Sequence, residues 1–121
     1  MRWWWWAMAV SSAATTPAVD GLLAGYGASG DAARGEAAWR KEWPAADGTR
    51  SCTTCHGSAL SATGRHASTG EPIDPMTAPD RFTDPAKIEK WFGRNCRWTL
   101  GRDCTPAEKA DFLTYLSGGV Q

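Results

Sequence analysis

Cys52-Thr53-Thr54-Cys55-His56 constrains this chain more than any other stretch. C-x-x-C-H is the attachment pattern for c-type haem. Two thiols separated by two residues can each form a thioether to one of the porphyrin's two vinyl groups. The imidazole beside the second thiol is then held under the ring, where it coordinates iron as the proximal ligand. Thr53 and Thr54 need only fill the spacer. Three other readings use parts of the same pattern. A dithiol redox motif also reads C-x-x-C but expects a βαβ setting, and no strong strand pattern lies nearby. Cys52, Cys55, Cys96 and Cys104 could assemble a zinc site, although its second half would be a loose C-x7-C and His56 would have no role. A chance match in a loop is the third.

The N-terminus reads as an export signal over residues 1–16, followed by one domain over 17–121. Arg2 gives a positive start, Trp3 to Val10 are apolar, and Ser11 to Ala18 are mostly small, so cleavage is expected after Ala14 to Ala18. The apolar run is far too short to span a bilayer. Four consecutive tryptophans are unusual there, because indole prefers the membrane interface to the hydrocarbon centre. Export to the periplasm is an oxidising destination, which suits four cysteines in a small chain. With two committed to haem, Cys96 and Cys104 are expected to pair as a disulfide. Two free thiols, or half of a zinc site, are the other readings.

The charge is balanced, with 13 basic and 13 acidic residues, so nothing points to nucleic acid or a membrane surface as the main partner. A small chain of this kind is expected to be a monomer. Leu, Ile, Val and Phe are scarce for a core-building chain, while Ala and Gly are abundant. A buried haem would supply the missing apolar bulk. The haem-free chain is therefore expected to lack cooperative tertiary structure.

Helical patterns dominate. A short helix is expected over 20–28, with Leu22, Leu23 and Tyr26 on one side. A stronger one runs from about Asp31 to Trp43 and stops at Pro44. Gly35 and Trp39 share its face, which would let another helix cross closely at the glycine. Residues 45–51 read as loop, and 57–80 as a long loop wrapping a cofactor edge. Asp84 and Pro85 open the next helix. Ile88, Trp91 and Phe92 form its apolar stripe, with Asn95 on the same face if the helix passes Gly93. Thr105-Pro106-Ala107-Glu108 is a capping box for the last helix. There Phe112, Leu113 and Leu116 face inward, Tyr115 lies at the edge, and the helix is expected to cross the one carrying Gly35 and Trp39.

The residue opposite His56 decides what such a haem can do. A haem closed on both sides passes electrons, whereas an open site binds O2, NO or CO. On spacing and chemistry alone Met76 is the choice, because thioether plus imidazole is the usual pairing in small cytochromes c. His66 lies only ten residues beyond His56 and reads better as exposed. Lys87 and Lys90 read as a solvated helix face. Asn95 does not stand out, since an Asn after a helix is usually a cap or a turn.

Longer segments carry a resemblance that reorders these candidates. Pro79-Asp80-Arg81-Phe82-Thr83-Asp84-Pro85, Glu89-Lys90-Trp91-Phe92-Gly93-Arg94-Asn95-Cys96, Gly101-Arg102-Asp103-Cys104-Thr105 and Glu108-Lys109-Ala110-Asp111 closely resemble the oxygen-binding cytochromes c called the sphaeroides haem protein family. The resemblance implies an all-α class I cytochrome c fold, with three to five helices around one covalently bound haem c. It implies His56 and Asn95 as ligands of ferric iron, with Asn95 bound through its side-chain oxygen, and a Cys96–Cys104 disulfide. It also implies that Asn95 leaves on reduction, opening the iron to diatomic gases. A dihaem cytochrome as electron donor, and turnover of oxygen with nitric oxide, are further implications. His56 with Met76, in a plain electron carrier, is the alternative. Arg81, Lys87, Lys90, Arg94, Arg97 and Arg102, against only Asp84 and Glu89 in the same span, suggest either docking of an acidic redox partner or ordinary solvation and propionate pairing.

Overall fold

The computed structural model describes residues 15–118. Five helices among them carry the fold: α1 (Pro17–Tyr26), α2 (Ala32–Arg40), α3 (Cys52–His56), α4 (Pro85–Leu100) and α5 (Pro106–Gly118). Two short antiparallel hairpins complete it, β1 (Trp43–Ala45) with β2 (Gly48–Arg50), and β3 (Gly64–Arg65) with β4 (Pro72–Ile73). The expected export segment lies almost wholly outside the described residues. Thr16, at its expected end, caps α1 by accepting from Val19 N–H at 3.2 Å, and Pro17 occupies the first turn where its missing N–H costs nothing.

The α2–α5 crossing is the main packing contact. A Cβ on Gly35 would stand 2.1 Å from the Asp111 carbonyl oxygen and 2.8 Å from Tyr115 Cβ, so only glycine permits this approach. Asp111 also accepts from Asp31 N–H at 2.8 Å and from Arg34 Nε at 3.1 Å, tying the start of α2 to α5. Trp39 follows one turn after Gly35 and is buried, as are Phe112, Leu113 and Leu116 on α5. Val19, Phe82 and Ile88 extend this core toward α1 and α4. The Thr105–Glu108 capping box forms as the sequence indicates. Thr105 N–H donates to Glu108 at 2.9 Å, and Glu108 N–H to Thr105 Oγ1 at 3.2 Å. A polar clasp joins three helices, with Tyr26 Oη on α1 and Lys109 Nζ on α5 both donating to the Glu89 carboxylate on α4, the latter at 2.9 Å.

Several sequence expectations need adjustment. α2 ends at Arg40 rather than Trp43. The residue before a proline is driven to extended backbone, so Trp43 leaves the helix and pairs as β1 with Arg50 across a two-residue loop. Its indole N–H returns to the Ala38 carbonyl at 3.3 Å, satisfying an acceptor that the shortened helix left open. The stretch read as loop before Cys52 is therefore a hairpin. α4 does continue through Gly93 to Leu100, which puts Asn95 inside a helix instead of in a turn. Trp91, expected on the apolar stripe, is 41% exposed. The buried face of α4 is Ile88, Cys96 and Thr99, and Trp91 stands off to its side.

Candidate haem site

α3 is one turn long, so few of its hydrogen bonds are internal and its placement depends on neighbours. Ser51 is the buried N-cap. Its Oγ accepts from Thr53 N–H at 3.2 Å, Thr54 Oγ1 accepts from Ser51 N–H at 3.1 Å, and Ser51 Oγ donates to the Trp39 carbonyl at 3.1 Å. α2 thus grips the start of the C-x-x-C-H turn. From the other side, β3 presses on its end. A Cβ on Gly64 would lie 2.3 Å from the Cys55 carbonyl oxygen and 3.1 Å from His56 Cα, so a side chain there would displace the turn.

The cleft beside α3 is lined by Trp39, Ser51, Cys52, Cys55 and His56 on one side and by Asn95, Trp98 and Thr99 of α4 on the other. It holds about 290 Å3 of atom-free space, part of it open to solvent. Asn95, Trp98 and Thr99 follow at i, i+3 and i+4, one face of α4. Trp91 lies four residues before Asn95, on the same side one turn nearer the helix start. The Asn95 side chain is exposed and makes no hydrogen bond among the described residues. His56 is half-buried, its ring centroid 5.1 Å from that of Trp39 at an interplanar angle of 35°. Burial, helped by the positive charge of Arg81, pushes the His56 imidazole down to about 4, so it is neutral with a free lone pair at ordinary pH. Burial pushes the Cys52 thiol up to about 12.

Cys52 and Cys55 are both unpaired, whereas Cys96 and Cys104 form a disulfide with Cα atoms 5.6 Å apart. That bond removes the thiolates a four-cysteine zinc site would require. The donor set fits a c-type haem. Two unpaired thiols, a neutral imidazole and a neutral amide line one cleft together with the indoles of Trp39 and Trp98. Met76 is half-buried against the hydrophobic core and is not among the cleft residues. His66 is exposed, its Nδ1 accepting from Ser68 and Thr69 N–H within its own turn. Sequence reasoning did not single out Ser51, Gly64 or Thr99. Thr99 had a signal in its i+4 spacing from Asn95. Ser51 and Gly64 act through tertiary contacts that no local pattern announces.

The six basic residues of 81–102 divide in two. Arg97 pairs with Asp103 at 2.8 Å, Arg102 with Glu108 at 2.7 Å, and Arg81 donates to the backbone carbonyls of Asp74 and Pro75. Lys87, Lys90 and Arg94 have no ion-pair partner among the described residues, and Arg94 lies over the Trp91 ring at 5.8 Å. Among the described residues no helix is long and apolar enough to cross a membrane.

Comparison with known proteins places this architecture. A family model described as a domain of unknown function, DUF1924, matches residues 26–116. The cytochrome c-type protein SHP of Cereibacter sphaeroides is 47% identical over 85% of this chain and 84% of its own length. The structure of oxidised SHP, described as an oxygen-binding cytochrome c, superposes with a TM-score of 0.68 at 45% identity, covering 81% of this chain and 94% of that one. Oxidised cytochrome c'' from Methylophilus methylotrophus superposes with a TM-score of 0.72 at 27% identity, covering 82% and 92%. The fold is thus the all-helical, class I-like cytochrome fold, and the chain belongs to the sphaeroides haem protein family of cytochromes c.

Proposed function

We propose that this protein is a periplasmic, gas-binding cytochrome c that carries one haem, held by thioethers to Cys52 and Cys55, with His56 as the permanent iron ligand and Asn95 as a ligand of the ferric state only. The observation that carries this reading is the composition of the cleft, which Asn95 lines together with Cys52, Cys55 and His56 while Met76 packs against the core outside it. Bound there, the haem supplies an iron that exchanges one electron and can take a diatomic ligand. An amide oxygen is a hard neutral donor, suited to ferric iron and poorly suited to ferrous. Imidazole serves both states, so His56 would hold the iron in either one and Asn95 only in the ferric one. The Asn95 side chain has no hydrogen bond to break among the described residues, and the neighbouring Cys96–Cys104 bond keeps its backbone ready for return.

With Asn95 withdrawn, the site would be open to O2, NO or CO. One O2, one NO and one electron balance to one nitrate, which is the turnover this chemistry allows. The unpaired Lys87, Lys90 and Arg94 beside exposed Trp91 suit an acidic redox partner such as a dihaem cytochrome, whose approach they would steer. Export with cleavage after Ala14 would leave the Thr16 cap of α1 intact, whereas cleavage after Ala18 would cut the helix and remove a buried residue.

The test is a set of absorption spectra of the reduced protein with and without CO, for wild type and Asn95→Ala. Wild type should be five-coordinate and high-spin when reduced and should bind CO rapidly. Asn95→Ala should alter the ferric spectrum and leave the reduced one nearly unchanged. A low-spin reduced protein that resists CO, with a methionine-to-iron charge-transfer band when oxidised, would assign Met76 instead.

A further inference from the structure

We infer that Trp39 is a positioning residue for His56, fixing the rotation of the imidazole and transmitting the α2–α5 crossing to the iron ligand. The inference rests on the proposed role of His56 as the permanent ligand.

α3 cannot orient His56 alone. It is five residues long, and its hydrogen bonds are those of a single turn. The His56 ring nitrogens make no hydrogen bond among the described residues, so rotation about the Cβ–Cγ bond is not limited by a polar partner. The aromatic ring found against it is Trp39, 5.1 Å away and tilted by 35°. Offset and tilted aromatic pairs at such distances are favourable beyond the area they bury.

Trp39 also touches α3 through its main chain. Its carbonyl accepts from Ser51 Oγ at 3.1 Å, and Ser51 caps the turn that ends in His56. One residue therefore holds both ends of α3, the cap through its backbone and the histidine through its ring. Trp39 is itself immobilised, being only 6% exposed and one turn beyond Gly35, where α2 lies directly on the α5 backbone. The chain of contact runs from Asp111 and Tyr115 on α5, through Gly35 and Trp39 on α2, to Ser51 and His56.

The test compares haem-loaded wild type with Trp39→Leu and Trp39→Phe. Resonance Raman of the reduced protein gives the iron–histidine stretch, and electron paramagnetic resonance of the oxidised protein reports the orientation of the imidazole plane. Trp39→Leu should shift and broaden the iron–histidine stretch and change the g-anisotropy. Trp39→Phe, which retains an aromatic face, should recover most of both. If both variants lose thermal stability while their spectra match wild type, Trp39 is core packing only and the inference is overturned. If Trp39→Leu does not fold, Trp39→Met, apolar but without a ring, takes its place, and an iron–histidine stretch and g-anisotropy unchanged from wild type in that variant would reject the idea. His56→Ala separates this from the parent reading. Should the iron–histidine stretch survive that substitution, the assignment of His56 is what fails.

Discussion

The two walls of the cleft are built in opposite ways. On the α3 side a very short helix carries its own Ser51–Thr54 cap and is held at both ends by other elements, Trp39 meeting Ser51 and His56 and the Gly64 backbone lying against its end. On the α4 side a 16-residue helix holds itself together, and Asn95 stands on it exposed and without a hydrogen-bond partner among the described residues. The same division appears in the sulfurs. The α3 pair is unbridged, whereas Cys96 on α4 is already closed onto Cys104 in the turn that follows. The contrast matches the proposed roles, in which His56 keeps the iron in both oxidation states and Asn95 holds it in one.

The largest effect should come from crowding the gripped wall. Gly64→Ala would drive a methyl group toward the Cys55 carbonyl oxygen, a backbone atom that cannot swing aside. Overpacking of this kind costs about 1–3 kcal/mol and sometimes more. On that scale the variant should lose about 3 kcal/mol in denaturant titration and carry less haem on a haem-stained gel. A variant with wild-type stability and loading would mean that α3 is not clamped from this side. Next in size is the support of the other wall. Cys96→Ser with Cys104→Ser should lose about 2.5 kcal/mol, the loop-closure entropy for a bridge this short. Under the proposed Asn95 ligation, it should also raise the high-spin fraction in the oxidised spectrum. Lost stability with an unchanged spin state would separate the bridge from the ligand.

How much of this contrast is legible in the sequence follows from where each contact originates. C-x-x-C-H and the Thr105–Glu108 cap are local, so their spacing alone reports them. The Gly35/Trp39 spacing anticipates the α5 crossing, because a glycine costs a helix interior about 1 kcal/mol against alanine and so favours a packing reason over an incidental one. The β1–β2 hairpin escaped because Pro44 ends the helical pattern without announcing a strand, and Asp47-Gly48 does not occupy the two loop positions of the usual Asp-Gly hairpin, since Gly48 already pairs with Ala45. Trp91 escaped because it sits between the core stripe and the solvent face, where helical periodicity does not separate buried from exposed. Ser51, Gly64 and the second role of Trp39 depend on which elements meet, and a single sequence does not display that. The residues that position the site were therefore harder to find than those that carry its chemistry.

A smaller effect tests whether the α4 wall is held from behind. Glu89 fixes α4 to α1 and α5 through Tyr26 and Lys109. Burial alone would raise its carboxyl, but hydrogen bonds from Tyr26 and Lys109 outweigh burial and hold it below its usual 4.5. A carboxylate depressed on folding stabilises fully above its unfolded pKa, and that share is lost as pH falls through the folded value. Glu89→Gln should therefore cost about 1 kcal/mol near neutral pH, the worth of a hydrogen bond to a charged group discounted because the carboxylate is more than a third exposed. The gap to wild type should narrow as pH drops below 4.5. A gap that stays constant across that range would show that the carboxylate's charge is not what fastens the helix.

Met76 should give the smallest effect, and its smallness is informative. Met76 lies in neither wall and packs half-buried against the core, whose other members are largely aliphatic and aromatic. Replacing it with Leu conserves volume and apolar character, and such exchanges usually cost less than about 1.5 kcal/mol. If Met76 is filler, Met76→Leu should leave the oxidised spectrum, the reduced spectrum and the CO-binding rate as they are, while shifting the melting temperature slightly. If Met76 instead reaches the iron, the substitution removes a sulfur ligand that leucine cannot replace, and both oxidation states should change spin together. Paired with Asn95→Ala, the result assigns the second ligand twice over. One variant should change only the oxidised protein and the other should change neither, a pattern that a methionine-ligated electron carrier could not produce.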